Sequence, residues 1–400
     1  MPFELTEGEL ALRRHARTVG ERLAEQAGAG QPGRVDRDLV RALATSGLLG
    51  SLFPASVGGD RPDEGVSALE LCLLREGLAQ ASTEAETALA MQGLGGHPIL
   101  QSGRPEAVRR WVPAIARGEA VAAFALTEPE HGSDAAAIEL RAEPDGDGFR
   151  LTGQKAWISN APDADVYVVF ARTTPDGGAR GVTAFVVPGD APGLTGEPIE
   201  LLSPHPIGRL EFDQVRVGPE EVLGETDRGF RVAMRTLDLF RPSVGAFAVG
   251  MAQAALDAAV AHAAARRSFG RPLKDHQAVS HLLAEMATRT EAARLMVYAA
   301  AAAHDRSAEG VTKTSAMAKL FATETAQFVV DSSVQIHGAR ALERGHLMER
   351  LYREVRAPRI YEGTTEIQRE VIARELYRVA DPRSPEVLGD RRAGGVAKVD

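Results

Sequence analysis

The chain has 400 residues, 44% of them hydrophobic, which is enough for roughly two or three structural units and a sizeable core. Its formal net charge of −9, with Lys and Arg dispersed, argues against general nucleic-acid binding. The single cysteine, Cys72, lies in an apolar run, excludes an intrachain disulfide and suits a reducing, cytoplasmic setting.

The first residues lack a basic opening and an apolar segment, so no signal peptide is expected. No run of about 18 strongly apolar residues stands out. The nearest, 244–265, is mostly Ala broken by Gln253, Asp257 and His262, and reads as a packed helix.

Residues 1–120 read as a helical domain. Leu10, Leu12, Ala16, Val19 and Leu23 share one helical face, and Leu39, Val40, Leu43 and Leu48 another. Pro54, Gly58 and Gly59 mark a loop, and the helical period resumes over 67–80 and 82–92. At about 121 the pattern changes. Strands are expected over 121–126, 149–158, 165–171, 182–187 and 210–217, as an antiparallel, barrel-like middle domain spanning 121–227. It has no βαβ alternation and no well-placed Gly-x-Gly-x-x-Gly, which excludes a Rossmann reading. From 228 to 380 long helices return, near 229–266, 275–305, 312–337, 345–356 and 365–380, as a four-helix bundle. Residues 381–400 read as a frayed tail. The fold class is mostly α with a central β domain.

The stretch 359–370 has the clearest chemical content. Thr365 and Gln368 have capping-box spacing, with Ile367, Val371, Ile372 and Leu376 at helical spacing behind them. Glu362 and Gly363 then lie just ahead of a helix N-terminus. The helix dipole would lower the Glu362 pKa and burial in an apolar cleft would raise it. Poised between the two, Glu362 is a candidate general base. A surface carboxylate in a turn is the commoner outcome for such a residue.

The run Tyr361-Glu362-Gly363-Thr364-Thr365-Glu366-Ile367-Gln368-Arg369 resembles the C-terminal signature of the acyl-CoA dehydrogenase family. Further matches lie across roughly 50–380: Pro54 with Gly58 and Gly59, Trp111-Val112-Pro113, Gly118-Glu119, the segments 124–134 and 155–160, Asp238 with Arg241, and 266–270. The resemblance implies the three-domain fold already read from patterning, FAD as cofactor, and α,β-dehydrogenation of an acyl-CoA thioester to a trans-2-enoyl thioester. It assigns α-proton abstraction to Glu362, carbonyl binding to the Glu362 N–H together with a ribityl hydroxyl, and hydride acceptance to flavin N5.

By the same resemblance Phe124, Leu126 and Thr127 would touch the isoalloxazine, Ser133 flavin or substrate, and Trp157, Ile158 and Ser159 the flavin ring and its N5 edge. Asp238, Arg241 and Gly363 would border the acyl-thioester. Arg266, Ser268, Phe269, Gln277, Gln335 and Gly338 would meet the pyrophosphate and adenine half, often across a subunit boundary, and Thr364 and Glu366 would also contact FAD. Each has a plainer alternative: a core tryptophan at 157, a surface ion pair for Asp238 and Arg241, a basic helix end at Arg266. Glu128, Glu130, His131 and Asp134 fit no metal signature, so no metal is expected.

Two departures stand out. Ala339 and Ala341 replace the family's glycines, and would be disfavoured if φ > 0 were needed there. Loop 203–208, with Pro204, His205 and Pro206, replaces a Gly- and Arg-containing loop. Alternatives are the same desaturation on a carrier-protein thioester, a flavoprotein oxidase or monooxygenase, and a helical interaction protein without flavin. An electron-transfer flavoprotein as acceptor and a homotetramer (or homodimer) complete the implied picture.

Overall fold

The computed structural model describes residues 4–25, 31–62 and 66–380. The expected tail at 381–400 lies outside them.

The N-terminal unit contains α1 (Glu7–Ala24), α2 (Arg37–Thr45), α3 (Ala68–Ala79), α4 (Thr83–Ser102) and α5 (Pro105–Ala116). Side-chain caps set where they begin. Thr6 with Glu9 and Ser67 with Glu70 close capping boxes on α1 and α3, and Ser82 accepts from the Ala85 N–H on α4. Helix α3 is buried all round, including Arg75 and Glu76. Helix α4 runs to Ser102, past the expected end at 92 and through Pro98. Its glycines serve packing there: a methyl at Gly95 would come within 2.7 Å of the Ala122 Cβ.

The middle unit contains β1 (Ala122–Ala125), β2 (Arg141–Asp145), β3 (Gly148–Ser159), β4 (Val166–Arg172), β5 (Val182–Pro188), β6 (Leu194–Pro198), β7 (Ile207–Val217) and β8 (Val222–Leu223). They form one sheet in the order β6-β7-β3-β2-β4-β5-β8, with β1 added on β4. The expected antiparallel unit needs a correction, because β1 runs parallel to β4 and β2 meets β4 in parallel at Arg141 and Arg172. The long excursion between β1 and β4 makes the parallel pairing possible. Alternation along β4 divides two cores. Val166, Val168 and Phe170 face the helices, whereas Tyr167, Val169 and Ala171 join a second core closed within the sheet itself, as in a barrel.

The C-terminal unit contains α6 (Gly229–Ala265), the hairpin β9 (Arg267–Ser268) and β10 (Arg271–Pro272), α7 (Gln277–Asp305), α8 (Val311–His337), α9 (Leu347–Glu354) and α10 (Thr365–Ala380). Helices α6, α7 and α8 pack on one another, α10 packs on α8, and α6 also carries α3. By length and composition α6 could cross a membrane, yet 72% of its most apolar window is buried inside the protein. It is the central core helix, and the glycine at 250 lets α3 approach: a methyl there would lie 2.6 Å from the Ala79 Cβ.

Candidate active site

The loop joining α9 to α10 is strained where the chemistry is expected. Glu362 has φ +49° and Gly363 φ +85°. A non-glycine residue in the left-handed region costs on the order of 1–2 kcal/mol and persists only when its surroundings hold it there. Those surroundings are Lys319 on α8 and Gln368 on α10. Lys319 Nζ donates to the carbonyls of Tyr361 (3.0 Å) and Gly363 (2.7 Å). Gln368 Nε2 donates to the carbonyls of Glu362 (3.2 Å) and Gly363 (3.0 Å). The expected capping box is therefore not formed. Thr364 caps α10 instead, accepting from the Ile367 N–H, and the Thr365 hydroxyl donates to Glu324. The helix begins one residue ahead of the pattern, so Gln368 is one place too far along to reach the capping residue's amide.

Burial raises the Glu362 carboxyl above the usual carboxylate range, outweighing the downward pulls of Arg75, Arg241 and Lys319. Its Oε2 is buried with no hydrogen-bond partner. The surface-turn alternative thus fails, and of the two opposed influences burial wins. Lys319, fully buried, is pushed down to about 8 by desolvation, with Glu362 pulling the other way. Nearby, Arg75 and Glu86 form a buried ion pair, and Arg75 Nη1 donates to Ser243 Oγ at 2.7 Å. Glu354 is pushed up to about 7 by burial and by Glu84. On α6, Arg241 donates to Asp238 at 3.1 Å, and its Nε is buried without a partner, which a wholly exposed ion pair would not show.

The middle domain presents a second set of residues. A register shift between Lys155 and Ile158 puts a bulge in β3, and Trp157 there takes φ +60° and stays 48% exposed. It is not a core aromatic. Ile158 beside it is a core residue, its side chain turned inward, which leaves its backbone for any contact with a cofactor. The Ala156 N–H donates to the Thr127 carbonyl, and Lys155 Nζ to the Leu126 carbonyl (2.8 Å) and Glu128 (2.9 Å). Glu128 also accepts from the Glu139 and Leu140 amides. Residues 126–128 are thereby fixed beside Trp157. Phe124 packs on Phe170, Leu126 is buried, and Ser133 is exposed farther along the same loop. Ser159 Oγ is 3.0 Å from His205 Nε2, so loop 203–208 turns inward onto this set.

A third set lies at the hairpin end of the bundle. Arg266 and Phe269 are exposed, Phe269 to 94%, with Ser268 between them and Gln277 opening α7. The rings of His262 and His337 stand 4.4 Å apart and join this end to Gln335 and Gly338 at the close of α8. Neither Ala339 nor Ala341 has positive φ, so replacing the glycines strains nothing. Among the described residues no hydrogen bond or ring contact links this set to the Trp157 set. Thr364 and the exposed Glu366 sit at the start of α10. No group of three or more His, Cys, Asp or Glu side chains suited to a metal is found among the described residues.

Three family models cover nearly the whole chain: the N-terminal domain of acyl-CoA dehydrogenase over residues 6–119, its middle domain over 123–215 and its C-terminal domain over 227–377. The chain belongs to the acyl-CoA dehydrogenase family. It is an oxidoreductase of the class acting on CH–CH bonds. It is 37% identical over 381 residues to the probable acyl-CoA dehydrogenase FadE25 of Mycobacterium tuberculosis, covering 94% of this chain and 97% of that one. It is 35% identical over 356 residues to the caffeyl-CoA reductase–Etf complex subunit CarC of Acetobacterium woodii, covering 87% and 92%. The solved structure of PigA with FAD and proline superposes with a TM-score of 0.88 at 27% identity, covering 94% of this chain and 99% of that one.

Lys319, Arg75, Glu86, Ser243, Glu354 and the His205–Ser159 contact were not picked out by motif, and Gln368 was read only as a helix cap. Lys319 carried a signal nonetheless. It shares a helical face with Ser315, Ala322 and Ala326, all buried, and a lysine on a buried face needs a partner.

Proposed function

We propose that this acyl-CoA dehydrogenase oxidises an acyl-CoA thioester at its α,β-bond, with Glu362 taking the α-proton. The observation that carries the reading is the buried, unpartnered Oε2 of Glu362, on a backbone held in the left-handed region by two other residues. A carboxylate destined only for structure would have its lone pairs satisfied.

FAD fits the residues present. Trp157 offers a half-exposed aromatic face from a bulge, the Thr127 carbonyl is bonded to the Ala156 N–H next to it, and Arg266 supplies a fork of donors suited to a diphosphate. Phe124, Leu126, Thr127, Trp157 and Ser159 would hold the ring, with Ser133 nearby. Arg266, Ser268, Phe269, Gln277, Gln335 and Gly338 would hold the diphosphate and adenine half of a flavin bound to a second copy, a reading supported by the exposure of Phe269, whose one ring contact among the described residues is the edge-to-face one with His276. When bound, FAD supplies the acceptor for the hydride equivalent from the β-carbon.

The chain's own residues do the rest. Burial raises the proton affinity of Glu362, which suits it to a weakly acidic α-carbon. Arg75, Arg241 and Lys319 pull against that burial and favour the ionised carboxylate, the form that can take a proton. The Glu362 N–H has no acceptor among the described residues and is available to the thioester carbonyl, where negative charge grows as the α-proton leaves. Asp238 and Arg241 flank the thioester arm. An electron-transfer flavoprotein as acceptor, a homotetramer and a cytoplasmic location complete the proposal. They are supported by the kinship to CarC, the exposed hairpin and the lone buried Cys72.

The test is Glu362→Gln, which keeps the shape and removes the base. The variant is expected to purify yellow and to bleach with acyl-CoA roughly 10²–10⁴-fold more slowly. Undiminished anaerobic bleaching would remove Glu362 from the reaction. Running CoA and carrier-protein thioesters of one acyl chain side by side identifies the handle.

A further inference from the structure

Lys319 lies in α8, 43 positions before Glu362 in the chain, and has no place in any motif. Its ammonium is wholly inside the protein, and both of its hydrogen bonds go to main-chain carbonyls that bracket Glu362: Tyr361 on one side, Gly363 on the other. Gln368 takes the carbonyl between them and shares the Gly363 carbonyl. Three successive carbonyls are thus captured by two side chains from two helices. A lysine needed only to neutralise Glu362 would put its Nζ on the carboxylate. Here the carboxylate Oε2 is left free.

The geometry of the peptide group gives this capture a consequence. In a trans peptide the C=O and the N–H of one plane point in opposite directions. The Tyr361–Glu362 bond is trans, since among the described residues the one cis bond is Ala161–Pro162. Fixing the Tyr361 carbonyl on Lys319 therefore fixes the Glu362 N–H on the far side of the same plane, facing away from α8. That N–H is the one with no acceptor among the described residues.

We propose that Lys319 is a positioning residue that, through the carbonyls of Tyr361 and Gly363, aims both the Glu362 N–H at the thioester carbonyl and the Glu362 side chain at the α-carbon. This rests on the reading of Glu362 as the base. One ammonium then aligns an acid–base group and a charge-stabilising donor together, and the two cannot drift apart. The groups facing Lys319 are Glu362, Glu324 and Glu366, which favour its charge, and Arg241, which opposes it. The three carboxylates keep the buried ammonium charged near neutrality.

The experiment uses the flavin-loaded enzyme and an acyl-CoA analogue with sulfur at the β-position and ¹³C at the carbonyl. This analogue can lose its α-proton but cannot be desaturated. The infrared stretch of the bound carbonyl reads the N–H hydrogen bond directly. Lys319→Met is expected to return that stretch toward the value of the free analogue and to lower kcat for substrate roughly 10- to 10²-fold, with KM changed little. Lys319→Gln, which retains a donor without the charge, is expected to keep most of the carbonyl shift. A Lys319→Met enzyme with an unmoved carbonyl stretch and kcat within twofold of the parent overturns the proposal. If Lys319→Met does not yield flavin-loaded protein, Gln368→Met removes the second latch and leaves the ammonium in place. It is read by the same stretch, and an unmoved stretch there overturns the proposal equally. Glu362→Gln separates the two levels. If it bleaches at the parent rate, the base assignment fails. If it is inert while Lys319→Met is normal, only the positioning role fails.

Discussion

Replacing Arg75 by Met tests how the buried charges around Glu362 divide between stability and catalysis. Arg75 and Glu86 have side chains 2% and 1% exposed, and Arg75 also bonds Ser243. Removing one partner of such a pair strands the other, at a cost of about 3–5 kcal/mol. With an unfolding entropy of about 2 cal/mol/K per residue, that lowers Tm by roughly 5 °C for a chain of this length. The double variant Arg75→Met with Glu86→Gln leaves no stranded charge and is expected to recover most of the loss. Catalysis should respond differently. Arg75 is the first of the three cations that pull the Glu362 pKa down, ahead of Arg241 and Lys319. A general base works only when ionised, so the rate rises with pH through its pKa, and losing Arg75 moves that rise to higher pH. Thermal melts of the flavin-loaded proteins and anaerobic bleaching rates against pH give both numbers. If the single and double variants melt together, the loss is one of packing and not of charge. A rise displaced toward lower pH would refute the electrostatic argument outright.

Gly363→Ala places a methyl 2.6 Å from Gln368 Nε2 at a φ of +85°, so the latch must move. The expected result is normal flavin content with bleaching slowed at least tenfold, on the order of a small misplacement of reacting groups, and parent-like bleaching would show that the loop tolerates the shift. Glu354 has its pKa raised by burial from 4.5 to about 7, so the folded state binds its proton more tightly than the unfolded chain does. The resulting penalty is absent below about pH 4.5, grows to about pH 7 and is complete above it, at roughly 3 kcal/mol. Glu354→Gln should therefore raise Tm at pH 8 and leave it unchanged at pH 4.5; an equal gain at both would point to packing.

The long helices were legible because their apolar period persists over many turns. The predicted and observed ends of α6, α7 and α8 differ by no more than two residues. The short strands β2, β6 and β8 were not: five residues or fewer carry little alternation, and these lack the continuous apolar run that marked the equally short β1. Glu362, Trp157 and the hairpin at Phe269 were found through motif, but their settings were not. Whether Trp157 is buried depends on a bulge, and a bulge is a property of two strands read together. The same holds for the bonds of Lys319 to Tyr361 and of Arg75 to Ser243, which span 42 and 168 positions in sequence. Single-chain spacing records which side chains share a face, and the neighbour across the interface is written elsewhere in the chain.

Helix α6 is one unbroken shaft of 37 residues, about 55 Å from end to end. Near one end it bears Asp238 and Arg241, and it finishes at the exposed hairpin that carries Phe269. Within it Pro242 has no N–H to give the Asp238 carbonyl, so the ladder is interrupted beside those two side chains. A load applied at the hairpin travels along a stiff strut and meets its first compliant joint at Pro242. Docking of a neighbour on that distant tip would therefore be felt as a bend beside Asp238 and Arg241.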